Sequence, residues 1–176
     1  MKCMRMIALA ASLVFFVIGT ATSAFAKNKY EAEVETEQVA VKLVREVQRG
    51  GYQIITAEEL DQWMEAGRDI MIIDTMPYEA SYKKIHVPGA KQFLFPIEEM
   101  TSWDPKETDG KTQDDFKTLL GSDTKKVIVF YCGFVKCGRS HNGAVWAVKL
   151  GYTNVYRFPG GIFAWRGADY ETERVD

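Results

Sequence analysis

The chain has 176 residues, of which 47% are hydrophobic and 26% are charged. This size and composition are typical of a single globular domain with a substantial core. Basic and acidic residues nearly balance, for a formal net charge of −2, and the basic residues form no cluster. A mildly acidic surface without a basic stripe argues against nucleic acid as a partner.

Residues 1–26 have the pattern of a secretory signal peptide. Lys2 and Arg5 give a positive start, residues 6–19 are almost wholly apolar, and residues 24–26, Ala-Phe-Ala, resemble a cleavage site. An uncleaved membrane anchor is the alternative, but a span needs about 20 apolar residues and this segment is shorter. We therefore expect a mature chain that starts near Lys27, carries a net charge of −4 and works in the periplasm without membrane attachment.

Residues 27–51 predict an N-terminal amphipathic helical extension. Apolar residues recur there at helical spacing, and Gly50-Gly51 is a stop signal. This apolar stripe must be covered either by the same domain, which we expect, or by a second copy in a homodimer. The stripe consists of Val34, Val39, Leu43, Val44 and Val47.

Residues 52–176 alternate helix and strand patterns. Thr56 and Glu59 form a capping box before a helix. Solid apolar runs at 69–74 and 127–131 are typical of buried parallel strands. Shorter strands are predicted at 91–95 and 154–158, helices at 113–120 and 140–150, and helical turns at 77–84 and 162–166. This alternation favours an α/β fold with a mainly parallel sheet.

Cys132 is the main candidate for chemistry, because it directly follows the strand 127–131 and precedes a helix. Ligands of parallel α/β sheets bind at the carboxyl ends of strands. Gly133 and Gly138 allow a tight turn in which backbone amides point inward, and such amides favour a thiolate. We therefore expect an ionised, nucleophilic cysteine; the alternative is an inert buried one.

Several segments, in order from about Ile55 to Tyr170, resemble the rhodanese-like sulfurtransferases. Residues 85–90, I-H-V-P-G-A, are similar to the family signature G-H-I-P-G-A, and residues 158–165, F-P-G-G-I-F-A-W, resemble its closing signature. Residues 72–74 and 127–132 match the strand-end aspartate and the strand before the catalytic cysteine. The resemblance implies a sheet of roughly five strands flanked by helices.

The resemblance also implies a reaction. Cys132 would attack a small sulfur-containing anion such as thiosulfate or a polysulfide, become a persulfide, and pass the sulfur to a thiol, cyanide or a protein acceptor. No cofactor or metal is implied. A non-catalytic sulfur carrier remains an alternative, and a phosphatase with the same loop is a more distant one.

The loop after Cys132 departs from the family pattern, because six residues separate Cys132 from Arg139. Such a long loop suits a larger donor or a protein acceptor and makes thiosulfate less certain. Arg139 or Lys136 would supply the cation, and Asp74 would organise the site by bonding loop amides or Arg139. The expected substrate-binding loop consists of Gly133, Phe134, Val135, Lys136, Cys137, Gly138 and Arg139.

Cys137 is a possible resolving thiol. It can attack a persulfide or mixed disulfide on Cys132, release sulfide and close a disulfide. This leaves a thiol–disulfide oxidoreductase using both cysteines as the alternative function; a spectator thiol or a static disulfide are further possibilities.

Other residues are assigned by their positions in the pattern. His86 is expected to bond backbone in its turn and His141 to lie at the rim of the site, so we predict no metal. Thr75 stands where many relatives carry an arginine. Phe134 is expected to line the mouth of the site, whereas Trp146, Phe163 and Trp165 are predicted core residues.

Overall fold

The structure is a computed structural model that describes residues 28–176. The predicted signal peptide, residues 1–26, lies outside the described residues. In the part that is described, no helix has both the length and the hydrophobicity needed to cross a bilayer.

The predicted α/β fold is confirmed. A five-stranded sheet has the order β1-β5-β4-β2-β3, and every pairing is parallel. The sheet is flanked by helices, with a π-helical turn at Tyr78–Tyr82 and a 3₁₀ turn at Pro105–Thr108. The elements are α1 Lys29–Gly50, β1 Gln53–Ile54, α2 Ala57–Glu65, β2 Ile70–Asp74, β3 Lys91–Gln92, α3 Gln113–Leu120, β4 Val127–Tyr131, α4 Arg139–Lys149, β5 Asn154–Phe158 and α5 Gly161–Gly167.

The register of the central strands brings the carboxyl ends of β2, β4 and β5 to one level. Tyr131 at the end of β4 lies opposite Asp74 on one side and Phe158 on the other. Alternate residues of β4 point to opposite faces, so that Phe130 belongs to one buried cluster and Tyr131 to the other. The residue after β4, Cys132, therefore emerges at the centre of the edge where parallel sheets bind ligands.

Local signals explain most of the element boundaries. The Thr56 side chain accepts a hydrogen bond from Glu59 N, and the Glu59 side chain accepts one from Thr56 N, as the predicted capping box requires. In contrast, β1 was not predicted because two residues carry too little pattern. Strand β3 is shorter than the predicted 91–95, because Phe93 and Phe95 bond to the end of β2 outside a regular ladder.

Helix α1 starts with a capping box formed by Asn28 and Glu31 and ends at Gly50, followed by the C-cap residue Gly51 with φ 67°. It packs on α4. Its apolar stripe is only partly covered, because Val34 and Val44 are each 54% exposed. The residues of α1 that are fully buried are instead Glu46 and Gly50, and Glu46 reaches the site described next.

Candidate active site

Residues of the segment 158–165, at the start of α5, hold the first residues of the loop between β4 and α4. The Cys132 carbonyl accepts from Ile162 N at 2.9 Å, and the Gly133 carbonyl accepts from Phe163 N at 3.0 Å. Gly161 has φ 56°, and a Cβ there would overlap the Cys132 carbonyl. A glycine at this position is therefore needed for α5 to pack directly against the first residues of the loop.

The Cys132 side chain is fully buried. Its Sγ lies 3.4 Å from the Cys137 carbonyl oxygen and 3.2 Å from Ser140 Oγ. Burial and the contact with Cys137 raise the pKa of the Cys132 thiol well above its ordinary value. This direction is opposite to the expected one, because the loop covers the sulfur and removes the solvent that a thiolate needs.

The pKa of Cys137 shifts in the opposite direction. The causes, in order of size, are the hydrogen bond with the Cys132 side chain and those with the backbone amides of Arg139 and Gly133. These bonds outweigh partial burial and lower the pKa of Cys137 to about 6. Both cysteines are free thiols, and Cys137 is the more exposed of the two. Two backbone amides of the loop therefore act on the second sulfur, Cys137.

Arg157 of β5 lies beneath the loop with no exposed surface. Its Nε donates to Ser140 Oγ at 2.9 Å, and one terminal nitrogen donates to the carbonyls of Cys137 at 2.9 Å and Val135 at 3.4 Å. Because Ser140 Oγ accepts from Arg157, its hydrogen is free to be donated to Cys132 Sγ. A buried cation is therefore one hydroxyl away from the Cys132 sulfur.

Glu46 of α1 balances the charge of Arg157. The other terminal nitrogen of Arg157 donates to Glu46 Oε2 at 2.6 Å, and Lys42 lies 2.9 Å from Oε1. Burial alone would raise the pKa of Glu46, but these two cations keep it below its ordinary value. The same Arg157 nitrogen also lies 3.4 Å from the Tyr52 hydroxyl.

Sequence reasoning missed this ion pair, although each partner carries a signal. Arg157 stands inside a strand whose neighbours Val155 and Phe158 are buried, and charged residues are almost never fully buried unless they are paired. Glu46 lies on the helical face of Leu43 and Gly50. The pairing itself joins residues 111 positions apart, which no local pattern can indicate.

The predicted cations of the loop are engaged elsewhere. The Arg139 guanidinium donates to the Phe95 carbonyl, and its backbone amide is what contacts Cys137 Sγ. Lys136 pairs with Glu35 of α1. The charge of Arg139 nevertheless contributes to the lowered pKa of Cys137.

Asp74 was expected to bond to loop amides or to Arg139, but its hydrogen bond goes to Met76 instead. Its Oδ1 accepts from Met76 N at 2.8 Å, while Oδ2 is buried without a hydrogen-bond partner. Burial raises the pKa of this carboxyl to about 6. Its neighbour Thr75 donates to the Tyr131 carbonyl at 2.8 Å and so joins β2 to β4.

The two histidines have structural partners. His86 Nδ1 bonds to the Tyr82 carbonyl at 2.8 Å, as predicted for its turn. His141 is buried, contrary to the prediction of a rim residue, and its Nδ1 lies 2.8 Å from the Tyr52 hydroxyl. Across residues 28–176, no three His, Cys, Asp or Glu side chains are grouped closely enough to hold a metal ion.

An exposed aromatic pair forms the rim of the loop. Phe134 is 45% exposed, and its ring centroid lies 5.4 Å from that of Phe163. Phe163 itself is 65% exposed, so its prediction as a core residue is wrong, whereas Trp146 and Trp165 are buried as predicted. The rim therefore offers an apolar surface next to the cysteines.

Comparison with protein families agrees with this architecture. Residues 56–168 match the Rhodanese-like domain. The chain belongs to the rhodanese-like family. The matched segment includes Cys132, Cys137 and Arg157 but excludes α1, and therefore excludes Glu46. A search of curated proteins finds no significant match.

Solved structures share the fold at low sequence identity. Thiosulfate sulfurtransferase from Pseudomonas aeruginosa aligns with a TM-score of 0.57 at 18% identity, covering 78% of this chain but 23% of that one. The BH2092 protein from Bacillus halodurans aligns with a TM-score of 0.55 at 23% identity, covering 77% of this chain and 86% of that one. RPA3614 from Rhodopseudomonas palustris, described as a possible tyrosine phosphatase, aligns with a TM-score of 0.51 at 20% identity. The alignment covers 77% of this chain and 93% of that one. These similarities establish the fold alone.

Proposed function

We propose that this protein is a rhodanese-type sulfurtransferase that moves sulfane sulfur through a cysteine persulfide in the loop at 132–139. The observation that carries the proposal is the place of Cys132 in the matched domain: it follows the central strand β4, its Sγ lies 3.2 Å from Ser140 Oγ, and a second free cysteine, Cys137, lies in the same loop with its pKa lowered to about 6. A thiolate held by preorganised amides is the nucleophile that sulfur transfer needs.

The proposed reaction has two transfers. A thiolate of the loop attacks the outer sulfur of thiosulfate or a polysulfide, the sulfur–sulfur bond of the donor breaks, and sulfite or a shortened polysulfide leaves with the electron pair. The sulfur is then carried as a persulfide on Cys132. Because the persulfide intermediate divides the reaction into two steps, the donor and the acceptor do not have to react with each other directly.

The acceptor is proposed to be a thiol, free or on a protein. Phe134 and Phe163 support this choice, because an exposed aromatic pair next to a reactive sulfur favours contact with an apolar or protein surface. The guanidinium of Arg139 is turned to the Phe95 carbonyl, so a small dianion has few free cations to bind in this loop.

A second candidate function is thiol–disulfide exchange. It is favoured by one observation: two free cysteines lie in one loop, with Cys132 Sγ 3.4 Å from the Cys137 carbonyl oxygen and the pKa of Cys137 lowered to about 6. In this scheme Cys137 attacks a substrate disulfide, and Cys132 then attacks Cys137 Sγ and releases the second substrate thiol. The two functions differ in product, since exchange leaves a Cys132–Cys137 disulfide and sulfur transfer leaves both thiols reduced.

The place of action is proposed to be the periplasm, after removal of residues 1–26. Support comes from the charge and apolar pattern of that segment. Amino-terminal sequencing of the protein from periplasmic extracts tests it: a start near Lys27 is expected, and an intact Met1 on an exported chain would refute cleavage.

Persulfide formation tests the proposed function directly. Purified protein, reduced and then freed of reductant, is incubated with thiosulfate or sodium polysulfide, and its intact mass is measured. The mass should rise by one sulfur atom, fall back when cyanide or a thiol is added, and stay unchanged in the double variant Cys132→Ser, Cys137→Ser. Formation of an internal disulfide without any sulfur adduct would favour the exchange reaction instead.

A further inference from the structure

We infer that Arg157 is a positioning residue for the sulfur chemistry of Cys132, and that helix α1 belongs to the active site because its Glu46 holds Arg157 in place. The inference rests on the proposed function, since the step that it affects is persulfide formation on Cys132. It also extends the site beyond the matched domain, because α1 ends at Gly50 and the match begins at residue 56.

Arg157 holds two polar groups that lie against the Cys132 sulfur. Cys132 Sγ is 3.2 Å from Ser140 Oγ and 3.4 Å from the Cys137 carbonyl oxygen. Arg157 Nε donates to the same Ser140 Oγ at 2.9 Å, and Arg157 Nη2 donates to the same carbonyl oxygen at 2.9 Å. The guanidinium therefore acts on the sulfur by two routes, each through a single intervening group.

Both routes favour negative charge on the Cys132 sulfur. The Cys137 carbonyl oxygen presents partial negative charge to the sulfur, and the guanidinium that is bonded to this oxygen offsets that charge. Ser140 Oγ accepts from Arg157, so the Ser140 hydroxyl hydrogen is free to be donated to the sulfur. A thiolate is the form that attacks the donor, and fixed dipoles and charges stabilise it without reorganisation during the reaction.

The geometry requires an arginine. The guanidinium is a planar group with five hydrogens that point in fixed directions. Here they reach Ser140 through Nε, the carbonyls of Val135 and Cys137 through Nη2, and Glu46 through Nη1. The single ammonium group of a lysine can pair with Glu46, but it cannot span all of these partners at once.

Helix α1 fixes the orientation of this guanidinium. Glu46 Oε2 accepts from Arg157 Nη1 at 2.6 Å, and Lys42 lies 2.9 Å from the other oxygen of the same carboxylate. Arg157 and Glu46 are both buried, and a buried cation that loses its counter-charge is strongly destabilised. Without Glu46 the guanidinium would turn towards other acceptors or water and release its contacts with the loop.

Single-turnover sulfur loading tests the role of Arg157. Reduced protein is mixed with excess thiosulfate or sodium polysulfide at several concentrations, quenched at increasing times, digested and mapped by mass. Arg157→Lys should lower the limiting rate constant for loading of Cys132 at least about tenfold. The half-saturating donor concentration should stay within about twofold of the wild type, because Arg157 is buried and does not meet the donor.

Two controls separate positioning from loss of folded protein. Arg45→Lys makes the same change at an exposed position of α1, next to Glu46, and should load like the wild type. The sulfur per molecule at completion should be the same in Arg157→Lys and the wild type. A lower final amount with an unchanged rate constant would reduce Arg157 to a structural role and overturn the inference.

A double-mutant cycle tests the route through Ser140. Ser140→Ala breaks this route, so Arg157→Lys should slow the loading of Cys132 by a smaller factor in the Ser140→Ala background than in the wild type. Equal slowing in both backgrounds would show that the two side chains act independently on the sulfur, and it would overturn the inference.

Substitutions of Glu46 test the contribution of α1. Glu46→Ala should slow loading at least about tenfold, whereas Glu46→Gln, whose amide oxygen can still accept from Arg157, should load within about threefold of the wild type. Arg157→Lys keeps the test available should Glu46→Ala fail to fold. Loading at the wild-type rate by these two variants would overturn the inference while leaving sulfur transfer intact. No sulfur on Cys132 in the wild type would instead overturn the proposed function.

Discussion

Removal of the Glu46 carboxylate should destabilise the protein far more than a surface substitution on the same helix. Arg157 has no exposed surface and Glu46 is its only carboxylate partner among residues 28–176. Glu46→Ala leaves a buried guanidinium without a counter-charge, which costs about 3–5 kcal/mol in comparable pairs. For a domain of this size that loss lowers Tm by roughly 6 to 20 °C.

The control is Glu33→Ala, an exposed position on α1 where the same change in helix propensity applies. It should alter the free energy of unfolding by no more than about 0.5 kcal/mol. Urea unfolding followed by tryptophan fluorescence gives both values. Glu46→Gln, which keeps an acceptor for Arg157, should fall between them and stays measurable should the alanine variant fail to fold.

The loop provides a second readout. Arg157 ties down the carbonyls of Val135 and Cys137 on either side of Lys136, so Glu46→Ala should speed tryptic cleavage after Lys136 relative to Glu33→Ala. Equal stability of the two variants, within about 1 kcal/mol, would show that Arg157 is solvated and that the buried ion pair does not support the loop.

Three further predictions concern residues around the loop. Asp74 has a folded-state pKa of about 6 against an ordinary 3.8, so its folded form binds the proton more tightly and stability should fall as pH rises from about 4 to 6. Above pH 7 the loss in the free energy of unfolding is about 3 kcal/mol, and Asp74→Asn should remove it. Urea titrations at pH 4 and pH 8 measure this, and an identical pH dependence in both proteins would refute the prediction. Gly161→Ala should lower the free energy of unfolding by at least about 1–3 kcal/mol and reduce sulfur loading, because a φ of 56° and the Cys132 carbonyl exclude a side chain. Gly167→Ala, with open space around it, should change neither quantity. Lys136→Ala should change stability by less than about 1 kcal/mol and leave the rate of persulfide formation unchanged, because its ammonium pairs with Glu35 at the surface; a marked loss of loading would mean that this lysine binds the donor.

Features with a local cause were predictable from the sequence. The solid apolar runs that became β2 and β4 and the capping box at Thr56 each depend on neighbouring residues, and the structure confirms them. The position of the active loop followed from the same patterns, because a parallel strand that ends in Cys132 can open only at the ligand-binding edge.

The distribution of charge within the loop was not predictable. The directions of the two cysteine pKa shifts depend on burial and on the contacts of each sulfur, and these are properties of the folded loop. The contribution of α1 was equally hidden, because Glu46 and Arg157 are far apart in sequence and only the packing of α1 on α4 brings them together.

The central claim is that the loop carries sulfur as a cysteine persulfide. Intact-mass measurement of the reduced protein after exposure to thiosulfate and to sodium polysulfide, with the double cysteine-to-serine variant as control, tests it most directly. We expect the wild type to gain the mass of one sulfur atom, to lose it again when a thiol is added, and the double variant to show no gain. An unchanged wild-type mass with both donors would contradict it.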